Sequence, residues 1–556
     1  MDANDAKLSR GMALHKQGHL AEAEKLYREV LQKAPKRFDA LYLLGIAALA
    51  AQKHQRAVDL IDRSIKQNAA FPPAWCNRGL ALAQTGRHPE ALASFDKAIA
   101  LDPAFAEAWY DRGISLKALG RPEEAIASFD KALTIRPDDA DAYNNRALVL
   151  IELRRHTEAL ADLDKALAIK PQFAEAHSNR GNALTGLKQP AGALASYDRA
   201  IALQPDLAEA WCNRGDALHE LNRSEDAIAS FTQALNLRPD LAEAHFGLSL
   251  TLLSLGRYQQ GFRHHEWRKK RSPPQGARSF PQPLWLGDRD IAGKTLFIHP
   301  ELFLGDMINF CRYAKLAEAK GAKVVLAVQP PLRPLLTSLS PSITIVAETE
   351  QPTHFDYHCP LMSLPLAFGT TLETVPATVP YLHPEPGWIA LWQQKFGMHG
   401  FKIGICWQGS AASIEMDRTF PVTRFQEISR LPSVRLISLQ TGDGVEQLTN
   451  LPDGMNVESY DDGPATALRP FADTAAMMEN LDLIITSDTA IAHLAGALGR
   501  PTWVLLKQMP DWRWGLQTDT TPWYPTARLF RQTIRNDWST VFEAIQTALT
   551  PTLGIG

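Results

Sequence analysis

Two short segments in the second half of this 556-residue chain hold residues able to do chemistry. One is Gly305-Asp306, in the loop after the apolar run Thr295-Leu-Phe-Ile-His299. The other is Ser487-Asp488-Thr489-Ala490-Ile491-Ala492-His493, which joins the run Leu481–Thr486 to a helix predicted over Thr489–Leu498. A strand that enters a helix through small and hydroxyl residues presents backbone N–H groups at the positive end of the helix dipole. Such a turn is a ready site for a diphosphate. His493 lies one turn into that helix, within reach of a phosphate or a sugar hydroxyl.

The elements that must position these segments alternate in type. After Thr295–His299 come a predicted helix from about Asp306 to Lys320 and the run Lys323–Val328. A second series starts at Phe401–Trp407 and continues with Arg435–Leu439, Leu483–Thr486 and Thr502–Leu506. Strands alternating with helices imply parallel sheets wound by right-handed crossovers. Pro376 to Trp392 lacks strand character and divides the two series. The expected architecture is two Rossmann-like lobes, 291–388 and 389–556, with ligands beyond the carboxyl ends of the strands.

The first half repeats itself every 34 positions. Ala40-Leu41, Ala74-Trp75, Ala108-Trp109, Ala142-Tyr143, Ala176-His177, Ala210-Trp211 and Ala244-His245 mark the period. It is the signature of the tetratricopeptide (TPR) repeat, a helix pair that buries its apolar face only by stacking on its neighbours. Gly45, Gly79, Gly113, Gly181 and Gly215 recur where paired helices approach, with Ala147 substituting once, and prolines from Pro35 to Pro239 close the second helices. The reading is an α-solenoid over 1–271, about seven repeats with a degenerate last unit, then a Pro/Gly/Ser-rich linker over 272–290. Asn77, Asp111, Asn145, Asn179 and Asn213 share one register on the first helices, which line the concave side of a TPR stack. A column of amides suits an extended peptide, whose backbone needs donors and acceptors. A polar helix face is the alternative reading. The basic stretch Arg263, Arg268, Lys269, Lys270 and Arg271 reads as a solvated helix end, with His264-His265 on the surface.

Composition bounds the rest. With 58 Lys and Arg against 61 Asp and Glu, the formal net charge of -3 lacks the basic excess of a nucleic-acid binder. Five cysteines without CxxC spacing fit a reducing compartment. The start MDANDAKLSRGMALHKQG has no apolar core of a secretion signal, and the longest apolar stretch, Leu41 to Ala51, is too short to span a bilayer. A cytoplasmic protein without an integral membrane segment is expected. Three local patterns are set aside. Gly287 to Thr295 is one residue too long for a phosphate-binding loop and precedes a strand. Asp288-Arg289-Asp290 offers too few hard ligands for a cation, and His354, Asp356, His358 and Cys359 fit no standard zinc spacing.

The segment DLIITSDTAIAHLAGALGRPTWVLL resembles the nucleotide-binding motif of glycosyltransferase family 9, the heptosyltransferase group, and more closely the bacterial TPR proteins that carry such a domain. Further matches follow in family order: HPELFLGDMINFCRYAKLAEAKGAKVVLAVQ, FDYHCPLMSLP, WQGSAASIEMDRTFPVTRF, FADTAAMMENLDLI and DWRWG…TPWYPTARLFRQ, together spanning roughly residues 258 to 545. The resemblance implies a GT-B fold and metal-independent transfer from a nucleotide sugar with inversion, so no cofactor is expected. It makes Asp306, after Gly305, the general base, a role a carboxylate in a closing cleft can fill. Without a metal, the leaving diphosphate needs a helix N-terminus, here Thr489 onward, and a cation, for which Arg418 stands at the matching basic position; Gly409-Ser410 would line the same turn. Trp512, Trp514, Trp523 and Tyr524 either stack on a base or sugar or fill a core. The amide column is similar to the asparagine ladder of the O-linked N-acetylglucosamine transferases, which implies a protein or peptide partner in the groove. One departure stands out: the relatives read E-Q-G-x-G-D where this chain has Glu301-Leu302-Phe303-Leu304-Gly305-Asp306. The expectation is a glycosyltransferase whose repeats recruit a protein acceptor, with hexosyl, heptosyl and N-acetylhexosaminyl transfer all open. The alternative is a TPR interaction scaffold with a catalytically degenerate transferase-like domain.

Overall fold

The computed structural model of the protein describes residues 3–273, 278–301, 303–409, 416–460 and 470–553. The chain forms two compact units, Met1–Ala217 and Leu218–Gly556. Sixteen helices run from Ala3–Lys16 to Tyr258–His265 among the described residues, and an α/β domain with parallel sheets follows.

In the first unit the 34-residue period is a packing rule. A Cβ on Gly79 would lie 2.5 Å from the ring of Phe95, and on Gly113 2.7 Å from that of Phe129. The glycine is the space that the aromatic ring of the second helix fills. Where Ala147 replaces glycine, the residue sixteen positions on is Leu163, a shorter side chain that leaves room for the methyl. A second register ties helices by charge. Arg78 donates to Asp62 (2.6 Å) and Ser94 (2.7 Å), and Arg112 donates to Asp96 (2.8 Å) and Ser128 (2.7 Å). The arginine of the N-R-G pattern therefore bridges the second helices on either side of its own.

The second unit opens with the helices Ser224–Leu237, Ala242–Ser254 and Tyr258–His265. Its strands are β1 (Thr295–His299), β2 (Lys323–Val328), β3 (Thr344–Ala347), β4 (Tyr357–Pro360), β5 (Phe401–Cys406), β6 (Val434–Ser438), β7 (Val457–Glu458), β8 (Leu483–Ser487), β9 (Thr502–Leu506) and β10 (Ala527–Arg531). They form two parallel sheets, β3-β2-β1-β4 and β10-β9-β8-β5-β6-β7. Buried runs such as Leu483–Ser487 and Thr502–Leu506 have no solvated face, as expected for strands covered on both sides. One core extends from Leu253, Tyr258 and Phe262 through Ile298 and Met307 to Ile484 and Val504, so the last repeat and both sheets share it. None of the helices among the described residues is long and apolar enough to cross a membrane.

The last repeat corrects two surface assignments. His265 is buried at 4% exposure, and Arg268 at 3%. Arg268 makes a two-pronged pair with Glu301 (2.9 and 3.0 Å) and also donates to Ser363 (2.9 Å). A guanidinium matched to a carboxylate in this way can be buried, so part of the basic stretch is interior and not a solvated helix end.

Candidate active site

Each sheet has one place where the strand order reverses, and each reversal carries one of the two chemical segments. In the first sheet the chain begins at β1 and later returns beside it as β4. The carboxyl end of β1 leads through Glu301 to the helix Leu304–Phe310, whose first turn holds Gly305 and Asp306. Glu301 fastens this switch point by accepting from the backbone N–H of Met362, just beyond β4 (2.8 Å). In the second sheet β5 and β8 flank the reversal. Gly409 follows β5, and Asp488 and Thr489 follow β8. Crevices beyond the strands at such points are where open α/β sheets bind ligands.

The turn after β8 is built from its own residues. Thr489 is extended and its Oγ1 accepts from Ile491 N–H (3.3 Å), which starts the helix Ala490–Ala497. Strand end and turn are buried: Ser487 is 0%, Asp488 6% and Thr489 9% exposed. Across the switch point Gln440 braces the end of β5. Its Oε1 accepts from the N–H groups of Trp407 (3.1 Å) and Gln408 (3.0 Å), and its Nε2 donates to Gln408 O (2.8 Å). A Cβ on Gly409 would stand 3.5 Å from the Arg418 guanidinium and 3.6 Å from the Thr489 methyl, so these three sites converge. Ser410 lies outside the described residues, as does Leu302.

The two segments meet. A Cβ on Gly305 would lie 2.9 Å from Cδ2 of His493 and 3.7 Å from Cα of Ala490. His493 is held on the other side by Tyr524, whose hydroxyl stands 3.0 Å from Nδ1, and its ring stacks on Trp514 at 5.4 Å. Asn309 Nδ2 donates to the same hydroxyl (2.8 Å), so Tyr524 is placed to donate to Nδ1 and leave the imidazole proton on Nε2. Burial, with Arg513 nearby, pushes the His493 pKa down to about 3, so the ring is neutral. Arg312 spans the two sheets with bonds to Asn309 O, Trp523 O and the Tyr381 hydroxyl (2.7, 2.8 and 2.7 Å).

Asp306 has a partner that the sequence did not announce. Arg513, in the turn Trp512–Trp514, donates from Nη2 to Asp306 Oδ1 at 2.5 Å and from Nη1 to both oxygens of Asp511 at 2.8 and 3.0 Å. Burial raises the Asp306 pKa to about 6 despite the opposing pull of Arg513. The group is then mainly ionised near neutral pH, yet a stronger base than an exposed carboxylate. The only hint in the sequence was an Asp-x-Arg set among tryptophans, a charge pair in a segment otherwise suited to burial.

Trp512, Trp514, Trp523 and Tyr524 are 0–4% exposed and fill the core between the sheets and the last repeat; Trp523 Nε1 donates to the Tyr258 hydroxyl (3.0 Å). Phe303 is 62% exposed at the start of the helix bearing Asp306. Asp356 accepts from Thr295 N–H (2.8 Å), His358 faces His299 at 3.4 Å, and among the described residues no group of three or more His, Cys, Asp or Glu is arranged to hold a metal. In the repeats the amide nitrogens of the column turn toward neighbours. Asn77 donates to the Tyr42 hydroxyl (2.9 Å), Asn145 to that of Tyr110 (2.8 Å), Asn179 to Asn144 (2.9 Å) and Asn213 to Asn182 (2.9 Å). Asp111 accepts from Cys76, and burial lifts its pKa to about 6.

Residues 393–539 match the glycosyltransferase family 9 (heptosyltransferase) profile, a span that includes Gly409, Arg418, Asp488–His493 and Arg513. Tetratricopeptide profiles match in overlapping segments over 8–174 and again over 187–256. The chain carries tetratricopeptide repeats followed by a glycosyltransferase family 9 domain. A curated relative, protein FlbA of Caulobacter vibrioides, is 28% identical over 327 residues, 55% of this chain and 54% of that protein. The chain thus spans about half the length of this relative. Among solved structures, the TPR protein YrrB is 26% identical and covers 33% of this chain and 95% of its own, with a TM-score of 0.30. The Cut9–Hcn1 assembly is 19% identical over 49% of this chain and 54% of that one, with a TM-score of 0.37.

Proposed function

We propose that the protein is a metal-independent, inverting glycosyltransferase of the GT-B type. It takes a nucleotide sugar as donor and uses its TPR repeats to recruit a protein or peptide acceptor. One observation carries the reading: the helix start bearing Gly305-Asp306 lies against the Ala490–His493 helix start. That juxtaposition supports reading Asp306 as the base and the turn before Ala490 as the anion site of one crevice.

In the reaction, an acceptor hydroxyl attacks the anomeric carbon from the face opposite the diphosphate. The new C–O bond forms as the bond to the diphosphate oxygen breaks, which inverts the centre, and the hydroxyl proton passes to Asp306. The departing diphosphate gains negative charge. The N–H groups at the start of Ala490–Ala497 and the Arg418 guanidinium offset it in a partly dehydrated turn, where such dipoles count for more than in water. Neutral His493, with its proton on Nε2, donates a hydrogen bond to the sugar or phosphate without adding charge. The repeats supply acceptor affinity through the carboxamide oxygens and helix faces of the column, since one N–H of each amide already bonds a neighbouring repeat.

The test is release of nucleoside diphosphate from a panel of UDP-, GDP- and ADP-linked sugars by the full chain. The reading predicts release with one base class, together with saturable binding of the free nucleotide. Neither release nor binding with any member of the panel overturns it.

A further inference from the structure

We infer that Arg513 is the positioning residue that holds Asp306 in register for proton transfer, with Asp511 fixing the guanidinium from behind. The inference rests on the transferase reading above and adds a residue to its machinery.

The geometry is that of a mount. The guanidinium is 6% exposed and lies 5.0 Å from the ring centre of Phe310 and 4.6 Å from that of Trp512, which limit its rotation. Its backbone is held at both ends. Asp511 Oδ1 accepts from Arg513 N–H (3.0 Å), and Thr521 Oγ1 donates to Arg513 O (2.7 Å). The two ends of the fork have separate tasks: Nη1 takes both Asp511 oxygens, and Nη2 reaches Asp306 Oδ1. Asp306 Oδ2 accepts no hydrogen bond among the described residues, and the side chain keeps 18% exposure. One oxygen is thus pinned, which aims the other at an incoming hydroxyl. A symmetric structural pair would occupy both oxygens, as Arg268 does with Glu301.

The charges around Asp306 explain why the mount is cationic. Arg513, Asp511, Glu301 and Arg268 all act on it, His493 is neutral beside Gly305, and Asp488 acts on Arg513. Burial favours the protonated acid, which cannot act as a base. Arg513 opposes burial, and Asp511 partly cancels Arg513. Removing the arginine must therefore raise the pH at which the base becomes active, whereas removing the Asp511 charge must lower it.

The experiment is the pH profile of kcat/KM for nucleoside diphosphate release by the wild-type chain, Arg513→Gln and Asp511→Asn. Asparagine can still cap Arg513 N–H, so the second variant changes charge with little change of shape. The acidic limb is expected to move up by about one pH unit or more in Arg513→Gln and down in Asp511→Asn. General damage to the fold would lower the rate without moving the limb in opposite directions. If Arg513→Gln fails to fold, Asp511→Asn decides alone. An active wild type whose limb stays put in Asp511→Asn, or moves up, overturns the role of Arg513 and leaves the transferase reading intact. A wild type that releases nothing from any donor overturns the transferase reading itself.

Discussion

Gly305 and His493 pack so closely that a Cβ at position 305 would stand 2.9 Å from the imidazole Cδ2. The contact joins the segment after β1 to the segment after β8, nearly two hundred residues apart in sequence. The ring cannot yield easily, because Tyr524 holds Nδ1 and Trp514 covers its face. Gly305→Ala is expected to destabilise the protein by about 1–3 kcal/mol, as overpacking does elsewhere, and to weaken nucleotide binding. Urea denaturation and nucleotide titration check both outcomes.

Asp306 costs stability. Its folded pKa, about 6, lies above the value of an exposed aspartate, so ionising it is harder in the folded state than in the unfolded chain. The favourable difference is complete at low pH and is lost as pH rises from about 4 to about 6. Asp306→Asn is therefore expected to be more stable than wild type at pH 7.5 by ~2 kcal/mol, with the gap closing toward pH 4. Melting temperatures across that range supply the check. A site residue that is stabilising when replaced is the usual mark of function held at the expense of stability.

The pair Arg268–Glu301 is buried on both sides, at 3% and 4% side-chain exposure. Arg268→Met takes away the two-pronged partner of the buried Glu301 side chain. A loss of about 3–5 kcal/mol is expected, as when one member of a buried pair is removed. Because Glu301 also fastens the β1–β4 switch point through Met362 N–H, donor turnover should fall with it. Denaturation and turnover measured on the same variant check this.

The repeat column offers a smaller effect. Asn145→Ala removes a donor to the Tyr110 hydroxyl and is expected to cost about 1 kcal/mol. Paired with a peptide-binding assay on the full chain, it separates the stability role of the amide nitrogen from any role in the groove.

Much of the fold was legible because its signals are local and repeated. The 34-residue period fixed the helix pairs, and β1, β2 and β9 coincide with apolar runs because strands buried on both faces need such runs. β3, β4, β7 and β10 were not singled out. β4 is Tyr-His-Cys-Pro, with no apolar run, and β7 has two residues. β10 is an edge strand of five residues, two of them arginines, Arg528 and Arg531, which break its apolar run. The helix predicted from Asp306 to Lys320 is divided at Cys311, which nothing nearby in sequence signals. Within the site, strand-end segments stood out by composition, whereas Arg513 did not. Its partner Asp306 is 207 positions away, and such a pairing exists only once the sheets are assembled. The same limit hid the burial of Arg268, whose partners Glu301 and Ser363 come from the α/β domain.

The most direct measurement compares wild type with Asp306→Asn for two quantities in one buffer: nucleotide affinity, and sugar transfer or donor hydrolysis. The account predicts affinity within about twofold of wild type and a rate lower by about a hundredfold or more, the loss expected when a general base is removed. A variant that still turns over donor at the wild-type rate would contradict it.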